Sequence, residues 1–302
     1  MLSPTHLQKL FTALHEIIDF SQLEEVSLEA NPATFDLEKA RLFRALGITR
    51  VSLGIQSFAS PVLQTLGREH DPEQAIRSVE LLHKADIPSI NIDLMFSIPG
   101  QSTEQWRDSL DQAISLQPHH ISAYNLTYEE DTAFFESLLQ GKMHVDDQVD
   151  HEHFTIAHEQ LTKAGFAHYE TSNYAKPGHQ SIHNSGYWRG EPYLGLGPSA
   201  VSTIASIRSK NIADTARYVE MINAVGHATS ESELLREEDL RLERIALGLR
   251  TTDGIAVSLL DEPGLRRARQ LADMDLLNIQ DGTLTLTKRG SALVDSIAGE
   301  IA

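Results

Sequence analysis

Cysteine is absent from the 302 residues of this chain. The chain as written therefore offers no disulfide, no thiolate zinc site, no cysteine nucleophile and no cysteine-held iron–sulfur cluster. Basic residues are scarce as well, because 25 Lys and Arg stand against 43 Asp and Glu, for a formal net charge of -18. An acidic surface repels phosphate backbones, and we expect no nucleic acid among the partners.

Long apolar runs are also missing, and no stretch approaches the roughly 20 apolar residues that a membrane span requires. The opening residues show neither the basic n-region nor the apolar h-region of a signal peptide. We therefore expect a cytoplasmic protein without a membrane span. The apolar fraction of 41% and the charged fraction of 23% are close to the globular average, and the length suits one large domain or two ordinary ones.

The first 130 residues alternate between short β-branched runs and segments with helical spacing. The β-branched runs cover residues 25–30, 50–56, 89–96 and 119–125. One of the helix signals is Asp71-Pro72-Glu73, which supplies an N-cap, a proline at the first helical position and an acid in the first turn. Repeated strand–helix–strand units predict an α/β fold with a parallel sheet and right-handed crossovers.

Each predicted strand carries apolar residues on one face and small or polar residues on the other, as where Asn91 and Asp93 alternate with apolar neighbours. A parallel strand buried on both faces is usually apolar throughout, so the polar face indicates a barrel whose lumen holds a polar ligand. Glu29, Gln56 and Asp93 lie at or near the carboxyl ends of their strands on this inward side, where (β/α) barrels place their chemistry. The alternative is that these are satisfied polar residues without a ligand.

The pattern changes after residue 168. Residues 169–178 and 183–190 are predicted to be loops, because they are rich in glycine, proline, aromatic and hydrogen-bonding side chains. Irregular segments on a scaffold often bind ligands. Gly195-Leu-Gly-Pro-Ser199 predicts a turn.

From residue 230 onward the pattern is helical again, and residues 276–287 predict a hairpin with Asp281-Gly282 at its turn. Helices followed by such a hairpin are typical of a winged-helix-like domain. We therefore expect two domains, residues 1–205 and residues 206–302, the second being a small α+β domain.

Several long motifs occur in a fixed order. They are Glu29-Ala-Asn-Pro, Arg50-Val-Ser-Leu-Gly-Ile-Gln-Ser-Phe, Leu66-Gly-Arg-Glu-His, Asn91-Ile-Asp-Leu-Met-Phe-Ser-Ile-Pro-Gly-Gln, Tyr169-Glu-Thr-Ser-Asn-Tyr-Ala and His183-Asn184-x-x-Tyr187-Trp188. Over essentially its whole length the sequence resembles the radical S-adenosylmethionine (SAM) family of oxygen-independent coproporphyrinogen III oxidases and their relatives. The last motif resembles the branch of HemW-type haem chaperones.

The resemblance implies a radical SAM (β/α) barrel, but one part of the family pattern is absent. Family members open with a strand that carries Cys-x-x-x-Cys-x-x-Cys, followed by a glycine-rich SAM-binding segment, and this sequence begins where that segment ends. We therefore expect a partial barrel, incomplete at its N-terminus, that forms no [4Fe–4S] cluster and performs no radical catalysis. A truncated chain and a true cluster-free paralogue both explain such a sequence.

The resemblance assigns SAM contacts to Glu29, Gln56, Arg68 and Asp93. The two carboxylates suit ribose hydroxyls or the ammonium group, the amide donates and accepts, and the guanidinium grips the carboxylate of SAM. The strand end at residues 124–127 is a further expectation, for the adenine side.

The same resemblance makes His183 the candidate axial ligand of haem iron, because imidazole is a common haem ligand. Tyr187 and Trp188 are expected to stack on a porphyrin face, and Asn184 to orient a propionate or the imidazole. The alternative is a structural loop packed by its aromatic side chains.

The other histidines are given no ligand role. His151, His153 and His158 fall on a predicted helix and lack the His-Glu-x-x-His spacing, so we expect a solvated helix face. His119 and His120 stand at the start of the predicted strand 119–125 and are expected at the bottom of the barrel.

Three functions remain open. The first is a HemW-like haem chaperone that binds haem and SAM and delivers haem to a haemoprotein. The second is an oxygen-independent coproporphyrinogen III oxidase, which performs an oxidative decarboxylation in porphyrin biosynthesis. The third is a cluster-free, inactive remnant. The motif that starts at His183 favours the first over the second, and the missing cysteines favour the third for this chain, so no residue is assigned a catalytic role.

Overall fold

The computed structural model describes residues 2–127, 136, 140 and 146–302. The chain divides into two compact units, Met1–Ile182 and His183–Ala302. The domain boundary predicted after residue 205 stays a prediction. None of the helices in the described ranges combines the length and the apolar composition that crossing a bilayer requires.

Strands and helices alternate through the first unit. Its helices are α1 (Pro4–His15), α2 (Leu37–Ala45), α3 (Ser60–Thr65), α4 (Pro72–Lys84), α5 (Thr103–Ser115) and α6 (Asp147–Lys163). Its strands are β1 (Ser27–Ala30), β2 (Arg50–Gln56), β3 (Ser89–Phe96), β4 (His120–Asn125), β5 (Ala167–Glu170) and β6 (Asn173–Ala175). Helix α7 (Ile182–Trp188) begins at the last residue of this unit.

The strands of the first unit form one six-stranded sheet in the order β1-β2-β3-β4-β6-β5. Strands β1 to β4 pair in parallel, which confirms the predicted α/β arrangement, whereas β6 pairs antiparallel with β4, and β5 antiparallel with β6. Within the described residues the sheet is open, with β1 and β5 at its edges. The carboxyl ends of four parallel strands therefore meet along one rim.

Helix α4 shows how the sequence fixes these elements. The side chain of Asp71 accepts a hydrogen bond from the backbone N–H of Gln74 over 2.8 Å, and the Asp71 N–H donates to the Gln74 side chain over 3.0 Å. This capping box and the proline at N1 start the helix as predicted. Val79 and Leu82 on its inner face are fully buried, and each such side chain contributes roughly 1.5–3 kcal/mol.

The two faces of the sheet differ as the sequence predicts. The fully buried apolar residues of the central strands form the main core with the helices; they are Val51, Leu53, Ile55, Ile90, Ile92, Leu94 and Ile121. The alternate positions of the same strands carry polar side chains. The helix-covered face therefore supplies most of the stability, and the opposite face is left for chemistry.

The second unit contains five further helices and six strands among its described residues. The helices are α8 (Thr215–Val225), α9 (Glu237–Gly248), α10 (Glu262–Asp273), α11 (Lys288–Ser291) and α12 (Val294–Ile301). The strands are β7 (Val201–Ile204), β8 (Ile207–Asn211), β9 (Thr229–Leu234), β10 (Ile255–Ala256), β11 (Leu277–Gln280) and β12 (Thr283–Leu286).

The end of the second unit confirms the predicted winged-helix-like α+β arrangement. Strands β10, β12 and β11 form an antiparallel sheet that shares a buried core with helices α9, α10 and α12. The hairpin between β11 and β12 turns at Asp281 and Gly282, both with positive φ. Asp-Gly suits such a tight turn because both residues tolerate a left-handed backbone.

Two sequence-based expectations about local structure are wrong. Residues 183–188, predicted as a loop, lie in helix α7, and most of residues 169–175 lie in β5 and β6. Strand β9, with the sequence Thr-Ser-Glu-Ser-Glu-Leu, stands where the helical pattern was expected to begin. Most of β9 is exposed and it is held by pairing with β8, so hydrophobic periodicity gives no signal for it.

Candidate functional site

Polar side chains from three neighbouring strands face each other on the open side of the sheet. The strand register pairs Ser52 with Asn91 and Asn91 with His120. Two residues further along β3 and β4 it pairs Asp93 with Ser122. Because side chains alternate along a strand, residues in these rows point to the same face. The sequence prediction that polar residues of β2 and β3 share one face is confirmed.

Asp93 is the acid at the centre of this face. Its carboxylate accepts hydrogen bonds from Oγ of Ser52 over 2.7 Å and from Nδ2 of Asn91 over 2.6 Å. Burial raises the pKa of Asp93, the nearby charge of Glu29 adds to the rise, and these hydrogen bonds oppose it. Ionisation of Asp93 is therefore costly, and a ligand that brings hydroxyl or cationic groups to it would be favoured.

Gln56 ends strand β2 in a left-handed backbone conformation, with φ at 69°. Its side chain is buried, and its Oε1 has no hydrogen-bond partner among the described residues. A Cβ on Gly54 would lie 3.2 Å from Nε2 of Gln56 and 3.3 Å from Oδ1 of Asn31. Gly54 therefore leaves space beside the Gln56 amide, whose oxygen accepts no hydrogen bond from the described residues. Such a space next to an unsatisfied polar atom is what a ligand site requires.

Arg68 reaches the same place from the segment after α3. Its Nη1 donates to Oδ1 of Asn31 over 3.2 Å, and this oxygen and Nε2 of Gln56 both lie next to Gly54. Glu29 lies on β1 in register with Ser52, and its side chain is exposed. Gln56 and the asparagine that binds Arg68 therefore both border Gly54, and the charge of Glu29 contributes to the raised pKa of Asp93.

The strand end at residues 124–127 lies beside a cavity. Asn125 and Leu126 line this cavity together with the segment after β3 and the first residues of α6. Nδ2 of Asn125 donates to Oδ2 of Asp150 over 2.9 Å. Whether adenine occupies this side of the site stays a prediction.

Helix α7 carries the four residues assigned to haem. His183 and Tyr187 are both exposed and lie one turn apart, which places them on one side of the helix. Their rings meet edge to face with centroids 4.8 Å apart, and Tyr187 makes a similar contact with Tyr193 at 4.7 Å. Burial raises the pKa of Tyr187. Asn184 lies between them in sequence and is half-buried.

Trp188 ends helix α7 and is half-buried. Its indole Nε1 is buried without a hydrogen-bond partner among the described residues. The guanidinium of Arg250 lies 5.8 Å from the ring centroid, and Arg250 also forms an ion pair with Asp295. The second unit therefore places a histidine, a tyrosine, a tryptophan and an arginine on or beside one short helix.

Helix α6 corrects the expectation of a solvated histidine face. His151 is exposed, as expected, but His153 is buried and His158 half-buried. Nδ1 of His153 accepts from the backbone N–H of Ser97 over 3.3 Å, and its carbonyl accepts from Nε1 of Trp106 over 2.9 Å. His153 thus ties α6 to the core, and no metal-binding cluster of acids and histidines occurs within the described ranges.

Two residues that the sequence left without a role belong to the polar face. His120 is fully buried, with Nδ1 2.6 Å from Oδ1 of Asn91 and Nε2 2.8 Å from the hydroxyl of Tyr169. The alternation of His120 with Ser122 along β4 was the available signal. Tyr169 gave none, because its bond to His120 joins residues far apart in sequence.

Comparison with known proteins gives consistent findings. Residues 2–113 match the radical SAM superfamily. The chain is 30% identical over 308 residues to Heme chaperone HemW of Bacillus subtilis, which covers 99% of this chain and 81% of that protein. It is 34% identical over 294 residues to the protein of the same name in Mycobacterium tuberculosis, which covers 96% of this chain and 75% of that one.

The fold also has a close counterpart among solved structures. Coproporphyrinogen III oxidase (HemN) from Escherichia coli, a radical SAM enzyme, superposes with a TM-score of 0.83 over 99% of this chain and 74% of that chain. The sequence identity is 21%. At that identity the likeness establishes a shared fold, and it includes the open sheet and the unit that follows.

Proposed function

The chain belongs to the HemW family of the radical SAM superfamily, and from that premise we propose that it binds haem and hands it to a haem-accepting protein. The observation that carries the proposal is the exposed pair of His183 and Tyr187 on helix α7. An imidazole ligates haem iron, and an adjacent aromatic ring contacts the porphyrin.

The other residues of this helix and its surroundings suit the periphery of haem. Arg250, held beside Trp188, offers a guanidinium for a propionate, in exchange for its ion pair with Asp295. Trp188 adds an apolar surface, and Asn184 can orient a propionate or the imidazole. A site on an exposed helix also suits a protein that must release its cargo.

We propose in addition that Glu29, Gln56, Arg68 and Asp93 hold SAM at the rim of the sheet. Two observations support this assignment: Oε1 of Gln56 has no hydrogen-bond partner in the described part of the chain, and Gly54 leaves space beside the amide. Asp93 and Glu29 suit the ribose hydroxyls or the ammonium group, and Arg68 suits the carboxylate.

A [4Fe–4S] cluster, which supplies electrons for SAM cleavage in radical SAM enzymes, does not fit the residues of this chain. Its irons are held by cysteine thiolates, and the 302 residues contain no cysteine. No step of the proposed function runs through a cluster. In this chain SAM is a bound ligand, and binding of haem by helix α7 does not depend on thiolates.

The test is haem binding followed by transfer. Haemin is titrated into the full chain, and the complex is then mixed with apomyoglobin as a generic acceptor. We expect a saturable Soret band in the titration. After mixing, this band should convert to that of myoglobin, and haem transfer should be faster than from a complex of haemin with serum albumin. Haemin that shows no saturable Soret change with the chain, or that never leaves it, contradicts the proposal.

A further inference from the structure

A chain of hydrogen bonds crosses the polar face of the sheet and ends on the carboxylate of Asp93. Ser181 donates its backbone N–H to the hydroxyl oxygen of Tyr169 over 3.2 Å, and that oxygen lies 2.8 Å from Nε2 of His120. Nδ1 of His120 lies 2.6 Å from Oδ1 of Asn91, and Nδ2 of Asn91 lies 2.6 Å from Oδ1 of Asp93. All five residues belong to the first unit.

The chemistry of each group fixes the direction of these bonds. Oδ1 of Asp93 accepts from the NH₂ group of Asn91, so Oδ1 of Asn91 faces His120 and can only accept. Nδ1 of His120 therefore carries the proton. Burial lowers the pKa of His120 well below its usual value, which keeps the ring neutral and leaves Nε2 as an acceptor. Tyr169 then donates to His120 and accepts from Ser181, so every donor points toward Asp93.

Ser181, at the end of the hydrogen-bond chain farthest from Asp93, lies at the start of helix α7. Ser181 directly precedes the helix, and the N–H of its first residue, Ile182, donates to Oε2 of Glu25 over 3.0 Å. The next residue in sequence is His183. In a buried network each hydrogen bond polarises its neighbours, so a change in the charge at one end alters the bonds along the whole chain.

Resting on the proposed function, we propose that His120 and Tyr169 are positioning residues that couple SAM at Asp93 to the start of helix α7, and so to haem binding by His183. A ligand that donates to Asp93 draws on the same lone pairs as Asn91. The bonds of Asn91, His120 and Tyr169 then adjust together, and Ser181 moves with them. The coupling means that SAM changes haem affinity. Linkage then requires that haem changes SAM affinity by the same factor.

Tyr169→Phe tests this coupling because it removes the hydroxyl and keeps the ring that packs against His120, with centroids 5.6 Å apart. Tyr174→Phe is the matched control, since Tyr174 is also buried in this sheet and its hydroxyl has no hydrogen-bond partner among the described residues. His120→Gln, which offers one amide where the ring offers two nitrogens, is the second variant if Tyr169→Phe does not fold.

The measurement is haemin affinity of the full chain with and without saturating SAM. In the parent and in Tyr174→Phe we expect SAM to change this affinity about fivefold or more, the lower end of typical couplings. In Tyr169→Phe we expect a change below about twofold while both ligands still bind. An undiminished SAM effect in Tyr169→Phe, or none in a parent that binds both ligands, overturns the coupling and leaves the proposed function standing.

A readout without ligands separates the two proposals. The amide resonance of Ser181 is recorded by NMR with and without Asp93→Asn. We expect Asp93→Asn to move this resonance in the parent and in Tyr174→Phe, and not in Tyr169→Phe. A parent that binds neither haemin nor SAM contradicts the proposed function, and the resonance then tests only the coupling through the hydrogen-bond chain from Ser181 to Asp93. A shift in all three backgrounds, or in none, overturns that coupling.

Discussion

His183 and Tyr187 lie one turn apart on helix α7, and their rings meet edge to face with centroids 4.8 Å apart. The proposed haem ligand and the proposed ring contact therefore lie within one helical turn, and they can be tested separately.

The first prediction concerns the ligand of the iron. His183→Ala should shift or weaken the Soret band in a haemin titration, because the axial imidazole is lost. His151→Ala is the control, since His151 is exposed on α6 and has no proposed role. Identical spectra for the parent and both variants would contradict ligation by His183.

The second prediction concerns ring contact. Tyr187→Ala should weaken haemin binding by roughly 0.5–1.5 kcal/mol beyond the area it buries, through the lost aromatic contact. Tyr187→Phe keeps the ring and should restore affinity. The comparison is made by equilibrium titration, and failure of Tyr187→Phe to recover would show that the hydroxyl, not the ring, matters.

Much of the first unit could be predicted from the sequence. The predicted bounds of β2 and β3 agree with those observed, because apolar residues alternate with small or polar ones through most of both strands. Helix α4 was marked by Asp71 and Pro72. Helix α7 was missed because it lacks an apolar stripe and contains Gly186, which is unfavourable inside a helix by roughly 1 kcal/mol.

The candidate site was predictable only in part. The polar positions of Glu29, Gln56 and Asp93 follow from strand alternation, and the proposed role of Arg68 rests on the family resemblance alone. The bond between His120 and Tyr169 joins residues 49 apart in sequence. It depends on β6 pairing antiparallel with β4 and β5 pairing antiparallel with β6, which no local pattern encodes.

The third prediction concerns the guanidinium at the rim. Arg68→Lys keeps the positive charge and loses the planar fork that matches a carboxylate. SAM affinity measured by calorimetry should fall roughly tenfold, the value of one hydrogen bond to a charged group. Arg77→Lys, on the exposed side of α4, should change nothing. Equal affinities in all three proteins would remove Arg68 from the site.

The fourth prediction concerns the space beside Gln56. In Gly54→Ala the new Cβ would crowd Nε2 of Gln56 at 3.2 Å and Oδ1 of Asn31 at 3.3 Å. SAM affinity should drop several-fold while the thermal midpoint changes little. Gly299→Ala adds its Cβ where nothing lies within 4 Å and is the control. An unchanged affinity in Gly54→Ala would mean that SAM does not use this space.

The fifth prediction concerns acid stability. Burial lowers the pKa of His119 and of His168 from 6.5 to about 4. Below pH 6.5 the unfolded chain therefore binds more protons than the folded one, and stability is lost as the pH falls from 6.5 toward 4. Urea unfolding at pH 7 and pH 5 should show this loss, and His168→Gln should reduce it.

The comparison of the parent with the His168→Gln variant is the decisive point. A His168→Gln variant that loses as much stability on acidification as the parent, or more, would contradict a neutral His168 in the folded chain.

The left-handed backbone of Gln56 at the end of β2 lowers the stability of the fold, while its side chain is proposed to bind a ligand. A residue with a side chain in this conformation costs the fold about 1–3 kcal/mol, and glycine would remove most of that cost. Selection for heat resistance alone would therefore favour glycine at this position. That substitution would remove the amide that we propose as a SAM contact. Variants of this chain selected for stability without a binding assay would therefore lose this amide and keep their fold.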